Sequence, residues 1–122
     1  MKTTTLEQSN TLLKLGLSAN TADMYWMETA PDNFTLGVCN SRLEKDMLLK
    51  KADYYKMTPA WSLEALLVHM PSICLDNCDK NVWKATLHIN DIVGTKYTTA
   101  INPLDAAYEM LLLVLEYNHQ IA

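Results

Sequence analysis

Glycine is scarce in this chain: Gly16, Gly37 and Gly94 stand far apart among 122 residues. No glycine-rich loop for cradling a phosphate can be assembled from them, which argues against nucleotide-fuelled enzymes. Cysteine is equally sparse. Three of them, an odd number with Cys74 and Cys78 only four residues apart, make no disulfide framework and suit free thiols in a reducing compartment. Long hydrophobic runs are missing as well, since no stretch reaches the ~18 uncharged residues of a membrane span. The amino-terminal Met1-Lys-Thr-Thr-Thr-Leu-Glu-Gln8 lacks the apolar core of a secretory signal. The expected location is therefore the cytoplasm, with no membrane partner. Basic charge is not in excess either: 10 basic against 14 acidic residues give a formal charge of −4, which disfavours a protein devoted to coating nucleic acid.

What is present is a globular composition, 49% hydrophobic and 20% charged, without low-complexity tracts. At 122 residues, one domain with one core is expected, burying roughly two thirds of the unfolded surface.

Local signals outline its elements. Thr5-Leu-Glu-Gln8 is a capping box, so a first helix is predicted from Leu6 to about Leu15. Gly16 stands where a left-handed C′ residue is wanted, and Leu17 is placed to meet Leu12 in a Schellman ending. Met24 to Thr29 and Phe34 to Cys39 flank Pro31-Asp-Asn33 and read as a β-hairpin, with Phe34, Leu36 and Val38 on its better buried face. Ser41 to Pro59 has no clean period and reads as an excursion with partial helix.

Trp61-Ser-Leu-Glu-Ala-Leu-Leu-Val-His-Met-Pro71 follows as a short apolar helix. Ser62 is a natural N-cap, Trp61 and Leu66 form an N′ to N4 staple, and Leu63, Leu66, Leu67 and Met70 fall on one stripe. Pro71 should stop it. A brief strand at Ile73 to Leu75 is then expected before a polar turn, Asp76 to Asn81. Val82 to Ile89 reads as a strand with Trp83, Ala85, Leu87 and Ile89 on one face and Lys84, Thr86 and His88 on the other. Val93 to Ile101 is its expected partner. Asn102-Pro-Leu-Asp105 starts the last helix, again with an N′ to N4 pair, Ile101 and Ala106. That helix carries two apolar stripes, Leu104, Ala107, Tyr108, Leu111 and Leu115, and Ala106, Met110, Leu113 and Tyr117. Only Asp105, Glu109 and Glu116 look made for water, so it is either centrally packed or shared with a partner. The implied fold class is α+β: a single domain with an antiparallel sheet of about four strands, helices on one face, and the order αββαββα.

Chemistry-bearing constellations are thin. Cys74, Cys78 and His88 offer two thiolates and an imidazole, suitable for zinc but lacking a fourth ligand unless Cys39, Asp79 or His69 joins them. The same groups can be read as a small Cys/His hydrolase, although no nucleophile signature surrounds a cysteine. His69, near a helix C-terminus, has an ordinary structural explanation in the helix dipole. No catalytic residue, cofactor or metal site is therefore assigned. Arg42 to Lys56 holds five of the ten basic residues, with Lys50 and Lys51 beside Tyr54 and Tyr55. Such a mixture can grip single-stranded nucleic acid, charge for the backbone and rings for stacking, but Glu44, Asp46 and Asp53 dilute it.

Pro59-Ala-Trp-Ser-Leu-Glu-Ala-Leu-Leu-Val-His-Met-Pro71, together with Leu13-Lys-Leu-Gly-Leu17, Thr21-Ala-Asp-Met24 and Asn102-Pro-Leu-Asp-Ala-Ala-Tyr-Glu-Met110, resembles a family of small gut-bacterial proteins of no assigned activity, often encoded by prophages or mobile elements. The resemblance covers most of the chain, is weakest over Ser41 to Lys56, and departs at Asn118-His119, where that family usually has Asn-Gly. It implies no catalytic motif. Its shared residues, Trp61, Leu63, Leu66, Leu67, Pro71, Ala107 and Met110, are those a core requires. Three readings are therefore carried forward: a non-enzymatic protein-interaction or accessory protein binding another protein through its sheet face, its excursion or its last helix, or itself through Met110, Leu113 and Tyr117; a nucleic-acid-binding regulator using Lys50, Lys51, Tyr54 and Tyr55; and a small Cys/His enzyme or metal protein.

Overall fold

The computed structural model describes residues 3–31, 33–38 and 57–121. Two compact units divide the chain at Ser62/Leu63. The class is α+β, as expected, with antiparallel strands throughout.

In the first unit, α1 (Leu6–Lys14) carries both halves of its capping box: the Gln8 amide donates to the Thr5 hydroxyl at 3.1 Å, and the Thr5 amide to the Gln8 side-chain carbonyl at 2.9 Å. Its end is the Schellman motif read from Gly16. Leu17 N–H donates to Leu12 C=O at 3.0 Å, Gly16 N–H to Leu13 C=O at 3.1 Å, and Gly16 has φ 96°. Leu12 and Leu17 are both buried. A single 3-10 turn, Ala19–Thr21, leads into the sheet.

That sheet has the order β2-β1-β3, formed by β1 (Met24–Ala30), β2 (Asn33–Val38) and β3 (Met57–Ala60). The expected β1–β2 hairpin forms, with Trp26 opposite Leu36 and Tyr25 opposite Gly37. Tyr25 explains the glycine: a Cβ at position 37 would collide with the tyrosine ring, so the pair is an aromatic side chain lying over a bare backbone. Strand β3 departs from expectation, because Met57-Thr58-Pro59 belongs to the stretch read as an excursion. Its four residues carry no strand pattern of their own. Pairing with β1 makes the strand, Met24 opposite Ala60 and Trp26 opposite Thr58, and Pro59 is tolerated because β3 lies at the sheet edge. The rest of that stretch, 41–56, lies outside the described residues.

In the second unit, α2 (Leu63–Leu67) ends where Pro71 requires. His69 N–H reaches Leu66 C=O at 3.2 Å and Met70 N–H reaches Leu67 C=O at 3.0 Å, tightened bonds that close the helix before the proline. A sheet of order β4-β5-β6 follows, from β4 (Cys74–Asp79), β5 (Val82–Asn90) and β6 (Gly94–Ala100). Strand β4 continues through most of the segment predicted as a polar turn. Asp76, Asn77 and Asp79 have turn chemistry, yet they pair with Lys84, Trp83 and Val82, and an exposed edge accepts their polarity. Asn90 closes the next hairpin, its side-chain carbonyl accepting from Ile92 N–H at 2.9 Å and Val93 N–H at 2.7 Å.

The last helix, α3 (Pro103–Ile121), starts as predicted. Asn102 accepts the Asp105 amide at 2.8 Å through its side-chain oxygen and donates to the Asp105 carboxylate, also at 2.8 Å. Thr98 then ties sheet to helix, its hydroxyl donating to Ala106 C=O at 2.8 Å. The Ile101–Ala106 staple is not made: Ile101 is 74% exposed while Ala106 is fully buried, and alanine is too short to draw the isoleucine inward. Among the described residues, six strands in two three-stranded sheets thus replace the single sheet of about four, and the order is αβββαβββα.

Candidate interaction surface

Trp61 and Ser62 close the first unit, a role their place at the start of a helix motif does not reveal. Trp61 is fully buried. Its backbone pairs with Thr4, Thr4 N–H donating to Trp61 C=O at 2.9 Å and Trp61 N–H to the Thr4 hydroxyl at 3.1 Å, while its indole N–H donates to the Thr21 hydroxyl at 3.0 Å. Ser62 binds Asp23 twice, through its backbone N–H at 2.9 Å and through its hydroxyl. Trp26 adds a third tie, its indole N–H donating to Thr4 C=O at 3.0 Å. Every polar group named here is bonded within the first unit, so the segment is a latch.

Among the described residues, the cysteines and histidines do not gather into one cluster. Cys74 and Cys78 are free and exposed on β4. His88 is exposed on β5, with Nδ1 3.1 Å from the Thr95 hydroxyl and Nε2 3.6 Å from Asp91. Among the described residues, no three His, Cys, Asp or Glu side chains are grouped to hold a metal ion. His69 is different: its Nε2 is buried with no hydrogen-bond partner among the described residues, and burial lowers its pKa below the ordinary histidine value. Cys39, Lys50, Lys51, Tyr54 and Tyr55 lie outside the described residues.

Two surfaces of the second unit stand out. One is the uncovered face of its sheet, where Cys74, Asp76, His88, Thr95, Tyr97 and Thr99 are exposed, and where the Lys84 amino group sits 4.7 Å from the centre of the Tyr97 ring. The sequence had marked Lys84, Thr86 and His88 as one face. It did not mark Tyr97, whose exposure depends on which way β6 faces in the sheet.

The other is the second half of α3. Leu104, Ala106, Ala107, Tyr108, Met110 and Leu111 are buried, so Met110 belongs to the interior and is not available to a partner. Beyond Leu111 the burial is partial: Leu112, Leu113, Val114, Leu115 and Tyr117 are each half-buried, and Glu116 alone among residues 111–117 is exposed. No helix among the described residues is long and apolar enough to cross a membrane.

Comparison with models of known protein families, with curated proteins and with solved structures yielded no match.

Proposed function

We propose that this chain is a non-enzymatic interaction protein, an accessory factor of the phage or mobile-element kind its sequence resembles, which associates through the second half of α3. One observation carries the reading. Leu112 to Leu115 form an unbroken apolar run in which every side chain keeps part of its surface in water, so apolar area is left over around the helix. A helix apolar on all sides is normally enclosed, and a partly enclosed one gains most by covering the remainder with another protein surface. A second copy of the chain satisfies that need with no further component.

Leu113→Glu tests it, because a carboxylate placed in that covered surface opposes association while a partly exposed site leaves it a path to water in the free chain. The expected result is a loss of self-association, seen as a fall to monomer mass in light scattering, with the circular dichroism spectrum unchanged. Monomeric wild-type protein at high concentration that also retrieves no specific partner from its native host contradicts the proposal.

A further inference from the structure

We infer that the outer edge of β6 is a self-pairing edge: two copies of the chain join by an antiparallel β6–β6 ladder centred on Tyr97. This deepens the proposal of self-association above and rests on it. Strand β6 ends the order β4-β5-β6, and no strand among the described residues pairs with its outer side. Such an edge offers backbone donors and acceptors to another strand unless something blunts it.

The two edges of this sheet differ in that respect. Strand β4 carries Asp76 and Asp79 with no basic residue, and its register shifts between Asn77 and Asp79, so a second β4 meets both charge repulsion and a kinked ladder. Strand β6, Gly94-Thr-Lys-Tyr-Thr-Thr-Ala100, has a single charge and a core of threonine and tyrosine, residues that fit a pleated strand well. Its pairing with β5 runs from Trp83–Ala100 to His88–Thr95 without a break, and the one irregularity falls between His88 and Asn90 on β5.

A two-fold axis through Tyr97, the middle of the seven residues, uses the whole strand. Gly94 then faces Ala100, Thr95 faces Thr99, and Lys96 faces Thr98, so the lone charge never stands directly opposite its own copy. Tyr97, 65% exposed and flanked by Lys84, faces the second Tyr97. Cross-strand threonine pairs and an aromatic pair are the combinations that stabilise an antiparallel ladder. Centring the axis one residue earlier opposes Lys96 to Lys96, which selects against that register.

The edge and the helix also agree. An axis normal to the sheet keeps both copies of α3 on the same face of the joined sheet, and α3 already lies over β5 and β6 more than over β4. A seven-residue ladder alone covers less area than a stable dimer requires, and the proposed dimer draws the remainder from the apolar surface left on α3.

Sedimentation equilibrium of the full chain over a wide concentration range tests this with four proteins: wild type, Tyr97→Glu, Tyr97→Phe and Leu113→Glu. Glutamate keeps an attractive neighbour in Lys84 within each chain but faces a second glutamate across the axis. Tyr97→Glu should raise the dimer dissociation constant at least tenfold with the circular dichroism spectrum and urea midpoint little changed, and Tyr97→Phe should leave the dimer intact. Amide exchange of residues 95–99 in the wild type should slow as concentration rises, a readout that needs no variant. A dimer that Leu113→Glu dissociates, but that Tyr97→Glu leaves unchanged and whose β6 amides show no concentration dependence, overturns the β6 assignment alone. A chain monomeric at every concentration overturns both proposals.

Discussion

Trp61 shows how much a single side chain can hide behind its neighbours in sequence. Read with Leu63, Leu66 and Leu67 it looks like the entrance to a helix, yet its backbone and indole bonds all go to Thr4 and Thr21 of the first unit. Thr21→Val preserves shape and removes the oxygen that accepts the indole proton. It should cost about 1 kcal/mol of stability, measured as a lower urea midpoint with unchanged slope; no change would mean that water serves the indole equally well. His69 makes a second residue-scale prediction. Burial holds its pKa below that of the unfolded chain, near 6.5, so as pH falls through that value the unfolded chain takes up a proton that the folded chain resists. Its contribution to stability is therefore complete above the unfolded pKa and declines below it until the folded pKa is reached. Urea midpoints between pH 7.5 and 5.5 should fall more steeply for wild type than for His69→Gln, and equal slopes would contradict the burial assigned here.

Helices α1 and α3 were legible because each carries its start in a few adjacent side chains, Thr5 with Gln8 and Asn102 with Asp105. Their contributions are measurable singly: Asn102→Ala should cost about 1 kcal/mol, and Gly16→Ala about as much again, since φ 96° is strained for alanine. Thermal melts of both variants check this, and unaltered midpoints would show that the caps are redundant. Strands β2 and β5 were legible from alternation, β1 from its aromatic residues beside a turn signal, and β6 as the partner β5 requires. Strand β3 was not, because four residues including Pro59 become a strand only when β1 supplies the partner. Most of β4 was read as a turn for a related reason: Asp76, Asn77 and Asp79 favour turns locally, and only an exposed edge lets them pair. The same limit applies to the surface. Leu113 and Tyr117 could be marked from helical period, whereas the edge position of Tyr97 follows from strand order, which no local pattern encodes.

At the scale of the molecule, polar groups go to holding elements together and apolar area is left over on one helix. The first unit uses its hydroxyls in the Thr4, Thr21 and Asp23 contacts, and the second leaves Leu112 to Leu115 half-covered and carries an edge strand of threonine and tyrosine. The proposed association rests on that leftover area. The most direct test is the solution mass of the wild-type chain as a function of concentration, by light scattering at moderate ionic strength. A reversible rise from monomer to dimer that Leu113→Glu abolishes is the predicted result. A constant monomer mass to the highest attainable concentration would contradict self-association outright.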